Sequence, residues 1–405
     1  MYDIDKIRRD FPVLQRKING KYNAYLDSAA SAQKPKCVIN KMNNIYRTGY
    51  ANVHRGTYAL SDSITNEYEQ ARKVVQKFIN AASEKEVVFT RNATESINLV
   101  AATWAMQNIK AGDEILISQA EHHANLIPWQ IVCQKTGARL KVFKIADDGS
   151  YIPQEFTDNL SAKTKLVAVT GMSNVLGTIF PIKQMAIGAH KAGAVFLVDA
   201  CQMAVHTAID VQDCNCDFLA FSGHKTYGPT GIGVLYGKSD ILSSMPPYQT
   251  GGDMVDKVTY EYTTYAEAPA RFEAGTPAIV EAVGLAEALK YMQKLGFDNI
   301  KQHEREIFDY MLQKTAEIKD FKQVGTASGK GGVCAFQVGK IHPQDLAYVL
   351  GKEGVAIRIG HHCAEPLVNR LGYTSLARAS VGLYTSAEDI DAFVAAIRKA
   401  QRFFE

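Results

Sequence analysis

Between residues 86 and 237, short apolar runs recur and alternate with stretches of helical period. The runs at 86–90, 114–118, 140–145, 165–171, 194–199, 218–223 and 231–237 are rich in Val, Ile, Leu and Phe. They show little polar alternation, the pattern of strands buried on both faces. Helix-length segments such as 94–107 and 182–191 lie between several of them. Strand and helix in repetition predict an α/β fold with a mostly parallel seven-stranded sheet covered on both faces. Ser83-Glu-Lys-Glu86 has the form of a capping box, but the β-branched run that follows limits it to one helical turn.

Beyond Gly237 the rhythm breaks. Residues 244–277 are rich in proline, carry Gly251-Gly252 and a Tyr/Thr stretch without helical period, and read as a long functional loop or hairpin. Residues 278–319 read as mostly helical. The segments 333–338, 343–351, 355–359, 379–383 and 387–403 then suggest a smaller α+β domain.

Composition narrows the class. The chain has 405 residues, 46% apolar and 21% charged, the profile of a well-packed soluble protein of two to three domains. Its 45 Lys and Arg stand against 42 Asp and Glu, a balance that argues against nucleic acid or an acidic membrane surface as main partner. No apolar stretch approaches the roughly 20 residues of a membrane span, and the start lacks a secretory signal core. Seven cysteines without a C-x-x-C pair predict no disulfide scaffold and a reducing, cytoplasmic compartment.

Two residues carry the first chemical signal. Asp199 ends the run 194–199 and Lys225 follows the run 218–223. Both fall at the carboxyl edge of the sheet, where open α/β sheets place their ligands. Alone, such an Asp caps a turn and such a Lys is solvated. Together they supply what pyridoxal phosphate needs, a Schiff-base lysine and a carboxylate for the pyridinium nitrogen. A phosphate site on a helix N-terminus is then expected. The strand and short polar turn leading into a helix that starts near Thr94 offer one, with Ser222 and His224 beside the lysine, although Thr94 also reads as an ordinary N-cap. His122, in Glu121-His-His-Ala-Asn125, falls at the same edge and could stack on a flat ring or carry protons. In Arg358-Ile-Gly-His-His-Cys-Ala364, a thiol lies beside two histidines. Cationic His361 and His362, with Arg358, would favour a nucleophilic thiolate at Cys363. A buried inert cysteine and a zinc site are the competing readings, the metal ranked low.

These blocks, with Leu26-Asp-Ser-Ala-Ala-Ser-Ala-Gln-Lys-Pro35, Val53-His-Arg-Gly56, Ser173-Asn-Val-Leu-Gly-Thr178 and Arg271-Phe-Glu-Ala-Gly-Thr276, resemble the cysteine desulfurases of the SufS type (group II). These belong to the class V aminotransferase family of fold-type I pyridoxal phosphate enzymes, and the resemblance runs over essentially the whole chain. It implies a large cofactor domain at 22–293 and a small domain from 1–21 with 294–405. Lys225 would hold the cofactor covalently, Asp199 would pair with the ring nitrogen, and His122 would stack on the ring. Gln202 would bond the ring hydroxyl. Ala93, Thr94, Ser222 and His224 would hold the phosphate, joined by Thr276 from a second subunit. Arg378, assisted by Asn174 and Arg358, would bind the substrate carboxylate, with Cys363 as nucleophile and no metal. The implied activity converts L-cysteine to L-alanine, leaving a persulfide for a SufE- or SufU-like acceptor and iron–sulfur cluster assembly. A selenocysteine lyase acting on L-selenocysteine, or another class V enzyme, is the alternative. Family members are homodimers, and His54, Arg55 and the 250s loop match the shared interface. Two departures stand out. Asp199-Ala-Cys-Gln202 replaces Asp-Gly-Ala-Gln, placing the Cys201 sulfur against the ring, and Gly171-Met172 replaces His-Val.

Overall fold

In a computed structural model, described over residues 2–404, the seven apolar runs pair into one sheet. Its order is Val87–Thr90, Gly233–Gly237, Phe218–Ser222, Val195–Asp199, Thr164–Thr170, Glu114–Ser118 and Arg139–Phe143. Gly233–Gly237 alone runs against the other six. The central strands are buried on both faces, which is why they read as unbroken apolar runs. Register sets Thr170 beside Asp199 and Asp199 beside Ala220, so neighbouring strands end together at the carboxyl edge.

The segment 94–107 forms the helix Ala93–Val100, a π turn at Ala101–Ala105 and a last turn, Met106–Asn108. Its start lies directly on the adjoining strand: a Cβ at Gly233 would come within 2.5 Å of the Asn92 Cα. Glycine there permits the close approach that brings the helix N-terminus to the sheet edge. Ile182–Lys191 is helical over the expected residues. Ser83 caps the single 3₁₀ turn Glu84–Glu86, as the capping box predicts.

The smaller α+β domain holds a four-stranded antiparallel sheet in the order Phe321–Val324, Val333–Val338, Leu376–Ser380, Arg358–Gly360. The helices Phe297–Ala316, Pro343–Lys352 and Ala387–Phe404 share its core, around Phe308, Phe336, Leu346 and Phe393. The strand expected at 379–383 lies at Leu376–Ser380, because buried Arg378 interrupts its apolar run. The segment 355–359 divides in two. Val355–Ala356 pairs in parallel with Ala24–Tyr25, and Arg358–Gly360 joins the antiparallel sheet. No helix among the described residues is long and apolar enough to cross a membrane.

Within 244–277 a hairpin, Val255–Val258 with Thr263–Tyr265, projects into solvent before the chain returns to the large sheet. Buried Arg72 secures that return through a two-pronged ion pair with Glu273, 2.7 Å from Nη1 to Oε1 and 2.9 Å from Nη2 to Oε2. Glu273 Oε1 also accepts from the Phe89 N–H at 2.6 Å. Without Glu273, buried Arg72 keeps only the partly exposed Glu69, 3.2 Å from its Nε, and loses its two-pronged partner. Glu273→Ala is therefore expected to destabilise the fold by about 3 kcal/mol, read from the denaturant midpoint.

Candidate active site

The carboxyl edge of the large sheet opens into a cleft of about 260 Å³. The large sheet supplies Asp199, Cys201, Gln202, Ser222 and Lys225, the helix start Ala93 and Thr94, and the small sheet Arg358 and Arg378. His122, Asn174, His224, His362 and Cys363 line it as well. One cleft thus gathers every expected site residue except Thr276, which lies in a separate cleft with Tyr68, Phe89 and Glu273 of its own chain. Arg55 pairs with Asp253 at 2.9 Å and His54 with Glu69 at 3.0 Å, outside the cleft lining.

His122 stands on a loop built from the inside. Buried Glu121 accepts from the Ser118 hydroxyl, from Asn125 Nδ2 at 2.7 Å and from the Thr170 N–H at 3.0 Å. Asn125 Oδ1 in turn accepts from Trp129 Nε1 at 2.9 Å. Burial pushes the Glu121 carboxyl up to about 8. His122 is pushed down to about 4, by burial first and then by the charge of Lys225. Its Nδ1 accepts from the Ala124 N–H at 3.0 Å, so the neutral ring carries its proton on Nε2.

Cys363 occupies the turn between the strand Arg358–Gly360 and the helix Glu365–Arg370, and its thiol is exposed. The buried inert cysteine is therefore excluded, and no cluster of three metal-ligating side chains exists among the described residues. His362 and Cys363 both adopt left-handed backbone, with φ of 53° and 54°. That conformation costs on the order of 1 kcal/mol per non-glycine residue and persists where neighbours enforce it. Here the His362 carbonyl accepts from Asn174 Nδ2 at 2.8 Å, and the Cys363 carbonyl from the His123 N–H at 2.6 Å. Two large-domain loops thereby hold the small-domain cysteine over the cleft.

The structure corrects the expected thiolate stabilisation. His362 is buried with both ring nitrogens unpartnered, and burial, then the charge of Arg378, pushes it down to about 3. It is neutral near pH 7, so it adds no positive charge beside Cys363. Cys201 is settled too. Burial first, then Asp199, pushes its thiol up to about 12, leaving it un-ionised beside Ser222. Gly171 has a steric reason: a Cβ there would come within 2.6 Å of the Met203 sulfur.

Three histidines held neutral make stability depend on pH. His224 is also pushed down to about 4, by burial and then Lys225. An unfolded histidine protonates near 6.5, so between pH 6.5 and 4 the unfolded chain binds more protons than the folded one. Stability is present above pH 6.5 and lost as pH falls toward 4, about 2 kcal/mol per histidine by pH 5. Thermal melts at pH 7.5, 6 and 5 are expected to fall in that order, and His224→Gln is expected to flatten the slope.

The residues fit pyridoxal phosphate. Three cationic side chains (Lys225, Arg358, Arg378) face one carboxylate (Asp199) across the cleft, an excess suited to a phosphate and a substrate carboxylate. Ser222 Oγ accepts from the Ala93 N–H at 2.9 Å, which leaves its own hydrogen free for an anion. The Thr94 N–H lies in the first helical turn, where no intrahelical acceptor exists. Gln202 Nε2 donates to the Ala29 carbonyl at 2.8 Å, while its buried Oε1 has no partner. An orphaned acceptor inside a polar cleft awaits a donor from a bound group. Sequence reasoning missed Lys34, which donates to the Ala32 and His224 carbonyls and is pushed down to about 8 by burial. It also gave no role to Asp27, which bonds Arg378 at 3.3 Å. No local pattern marks either residue, since their partners lie about 190 and 350 positions away.

A two-domain α/β architecture with this cleft defines a fold-type I pyridoxal phosphate transferase. The chain belongs to the aminotransferase class-V family, whose model matches residues 24–393. It is similar to a cysteine desulfurase of Synechococcus elongatus, 45% identical over 99% of this chain, and the chain spans 64% of that protein's length. A cysteine desulfurase of Salmonella dublin is 46% identical over 99% of both chains. The crystal structure of the cysteine desulfurase CsdA from Escherichia coli, in an S-sulfonic acid form, superposes with a TM-score of 0.91. Its identity is 38%, covering 100% of this chain and 99% of that one.

Proposed function

We propose that the protein is a cysteine desulfurase that takes sulfur from L-cysteine, releases L-alanine and holds the sulfur as a persulfide on Cys363. The exposed Cys363 thiol on the same cleft as Lys225 and Asp199 carries this reading. Another class V enzyme needs the lysine and the aspartate but has no use for a thiol held there by two loops.

Bound in the cleft, pyridoxal phosphate supplies an electron sink that labilises bonds around the substrate amine. Lys225, whose amine lines the cleft, would hold the cofactor and is the base placed to take the substrate Cα proton. Asp199, with Oδ1 fixed by the Cys201 N–H at 3.0 Å, would present its carboxylate to the ring nitrogen. His122, with Nδ1 engaged by the Ala124 N–H, would stack on the ring and has its Nε2 hydrogen to offer. Gln202 Oε1, which has no partner, would accept from the ring hydroxyl, and Ala93, Thr94, Ser222 and His224 would hold the phosphate. Arg378, with Asn174 and Arg358, binds the substrate carboxylate. Cys363 Sγ then attacks the substrate sulfur. The Cβ–S bond breaks and an S–S bond forms. Cysteine and a thiol become alanine and a persulfide with no external oxidant.

We assign the enzyme to the SufS type. Four residues, 361–364, separate the strand from the helix around Cys363, so the segment reaches at most about 14 Å. The thiol cannot travel far, and the acceptor, of the SufE or SufU kind, must come to it. Thr276 would reach the phosphate of a second copy in a homodimer, a reading supported by its place in a cleft separate from that of Lys225 in its own chain. The assignment of the N-terminal segment to the small domain is supported by the Arg8–Asp389 pair at 2.5 Å, and the pairing of Ala24–Tyr25 with Val355–Ala356 carries that segment past residue 21, so the large domain starts after Asp27 rather than at 22.

The test is incubation of the holoenzyme with L-cysteine and no reductant. Equimolar alanine and one added sulfur on the Cys363 peptide are expected. Cofactor colour with neither product would refute the reading, and a much higher rate with L-selenocysteine would favour the lyase.

A further inference from the structure

Arg358 and Arg378 stand directly opposite one another on antiparallel strands, and both line the cleft. Opposed cross-strand positions bring Cα atoms to about 4.5–5.5 Å, and like charges placed there repel. The repulsion is sharpened because Arg378 is only 2% exposed. One carboxylate answers both. Asp27 Oδ1 accepts from Arg378 Nη2 at 3.3 Å, and Asp27 Oδ2 lies 3.7 Å from Arg358 Nη1. Asp27 does not line the cleft itself. Its main chain bridges to Ser380, at the end of the strand that carries Arg378, and the Ser380 N–H donates to the Leu26 carbonyl at 2.8 Å. Backbone pairing therefore fixes the carboxylate relative to the arginine it serves.

Arg378 is gripped on one side only. Nη1 donates to the Asn174 carbonyl at 2.8 Å and Nη2 to Asp27, while Nε is buried without a partner. An unpaired buried donor costs about 1–3 kcal/mol, so Nε marks where an acceptor belongs. Two guanidiniums and one carboxylate leave a net charge of +1, which a single substrate carboxylate brings to zero.

We propose that Asp27 is the positioning residue of the carboxylate subsite: it cancels the repulsion between the opposed arginines and holds Arg378 so that its free Nε meets the substrate α-carboxylate. The inference rests on the reading of Arg378 given above. Without Asp27 the two guanidiniums splay apart, and Arg378 loses its aim while the rest of the cleft stands.

The experiment measures dissociation constants of L-alanine and L-alaninamide for the holoenzyme, from the absorbance of the bound cofactor without turnover. The wild-type protein is expected to prefer the carboxylate over the amide, and Arg378→Ala to abolish that preference. Asp27→Asn is expected to weaken L-alanine about tenfold and L-alaninamide far less, with KM for L-cysteine rising more than kcat falls. Asp27→Glu keeps the charge but displaces it, and is expected to weaken L-alanine about threefold. If Arg378→Ala keeps the preference, the carboxylate reading itself fails. If Arg378→Ala loses it while both Asp27 variants keep it, Asp27 has no positioning role. Should Asp27→Asn not fold, an unchanged preference in Asp27→Glu overturns the proposal alone.

Discussion

Replacing Cys363 with serine is expected to abolish persulfide formation and lower sulfur release by at least about 10³-fold, with cofactor colour and thermal stability retained. The thiol is exposed and its carbonyl, not its side chain, anchors the turn, so serine leaves the His123 contact at 2.6 Å in place. The left-handed backbone at position 363 is equally accessible to both residues. The effect is therefore chemical: a serine hydroxyl is a poor nucleophile toward sulfur at neutral pH. Mass analysis after L-cysteine should find no added sulfur on the variant. Iodoacetamide should label Cys363 in the wild type and spare Cys201, whose thiol stays protonated. Sulfur still appearing on the variant, on Cys201 or elsewhere, would move the nucleophile. Loss of colour as well would mean that the residue builds the cofactor site.

Lys225→Ala is expected to lower turnover by about 10⁴-fold, the scale of removing a positioned acid–base group. Lys225 follows the strand Phe218–Ser222 in a turn whose backbone is held without its side chain: the Thr226 N–H donates to Gly223 at 3.1 Å and the Gly228 N–H to Gly223 at 3.0 Å. The fold should survive. In the wild type, borohydride should fix the cofactor to the Lys225 peptide; in the variant it should fix none. The phosphate contacts do not depend on the lysine, so the variant should still bind cofactor, released by denaturation without reduction. Retained turnover would remove Lys225 from the chemistry.

The large sheet was legible because its strands are buried on both faces, and an apolar run of strand length has few other uses. Asp199 and Lys225 were legible because one ends such a run and the other lies in the turn after one, and strand ends in a parallel sheet share one edge. The small domain was harder to read. Leu376–Ser380 hides a buried arginine in mid-strand, and Phe321–Val324 is a four-residue edge strand with only Val324 buried. The charge state of His362 could not be read at all, since two adjacent histidines look alike in sequence. Only burial beside Arg378 shows that His362 is held neutral near pH 7.

The sequence by itself determined the architecture, the cofactor pair and the cysteine segment, because each is written in contiguous residues governed by local periodicity and short spacing. The tertiary structure decided what depends on residues far apart: which nitrogen of His122 bears the proton, that Cys201 stays a thiol and His362 neutral, and that Asp27 stands between two arginines about 330 and 350 positions away. Desolvation and Coulomb interaction act through space and depend on distance and burial, and neither quantity exists until the chain is folded.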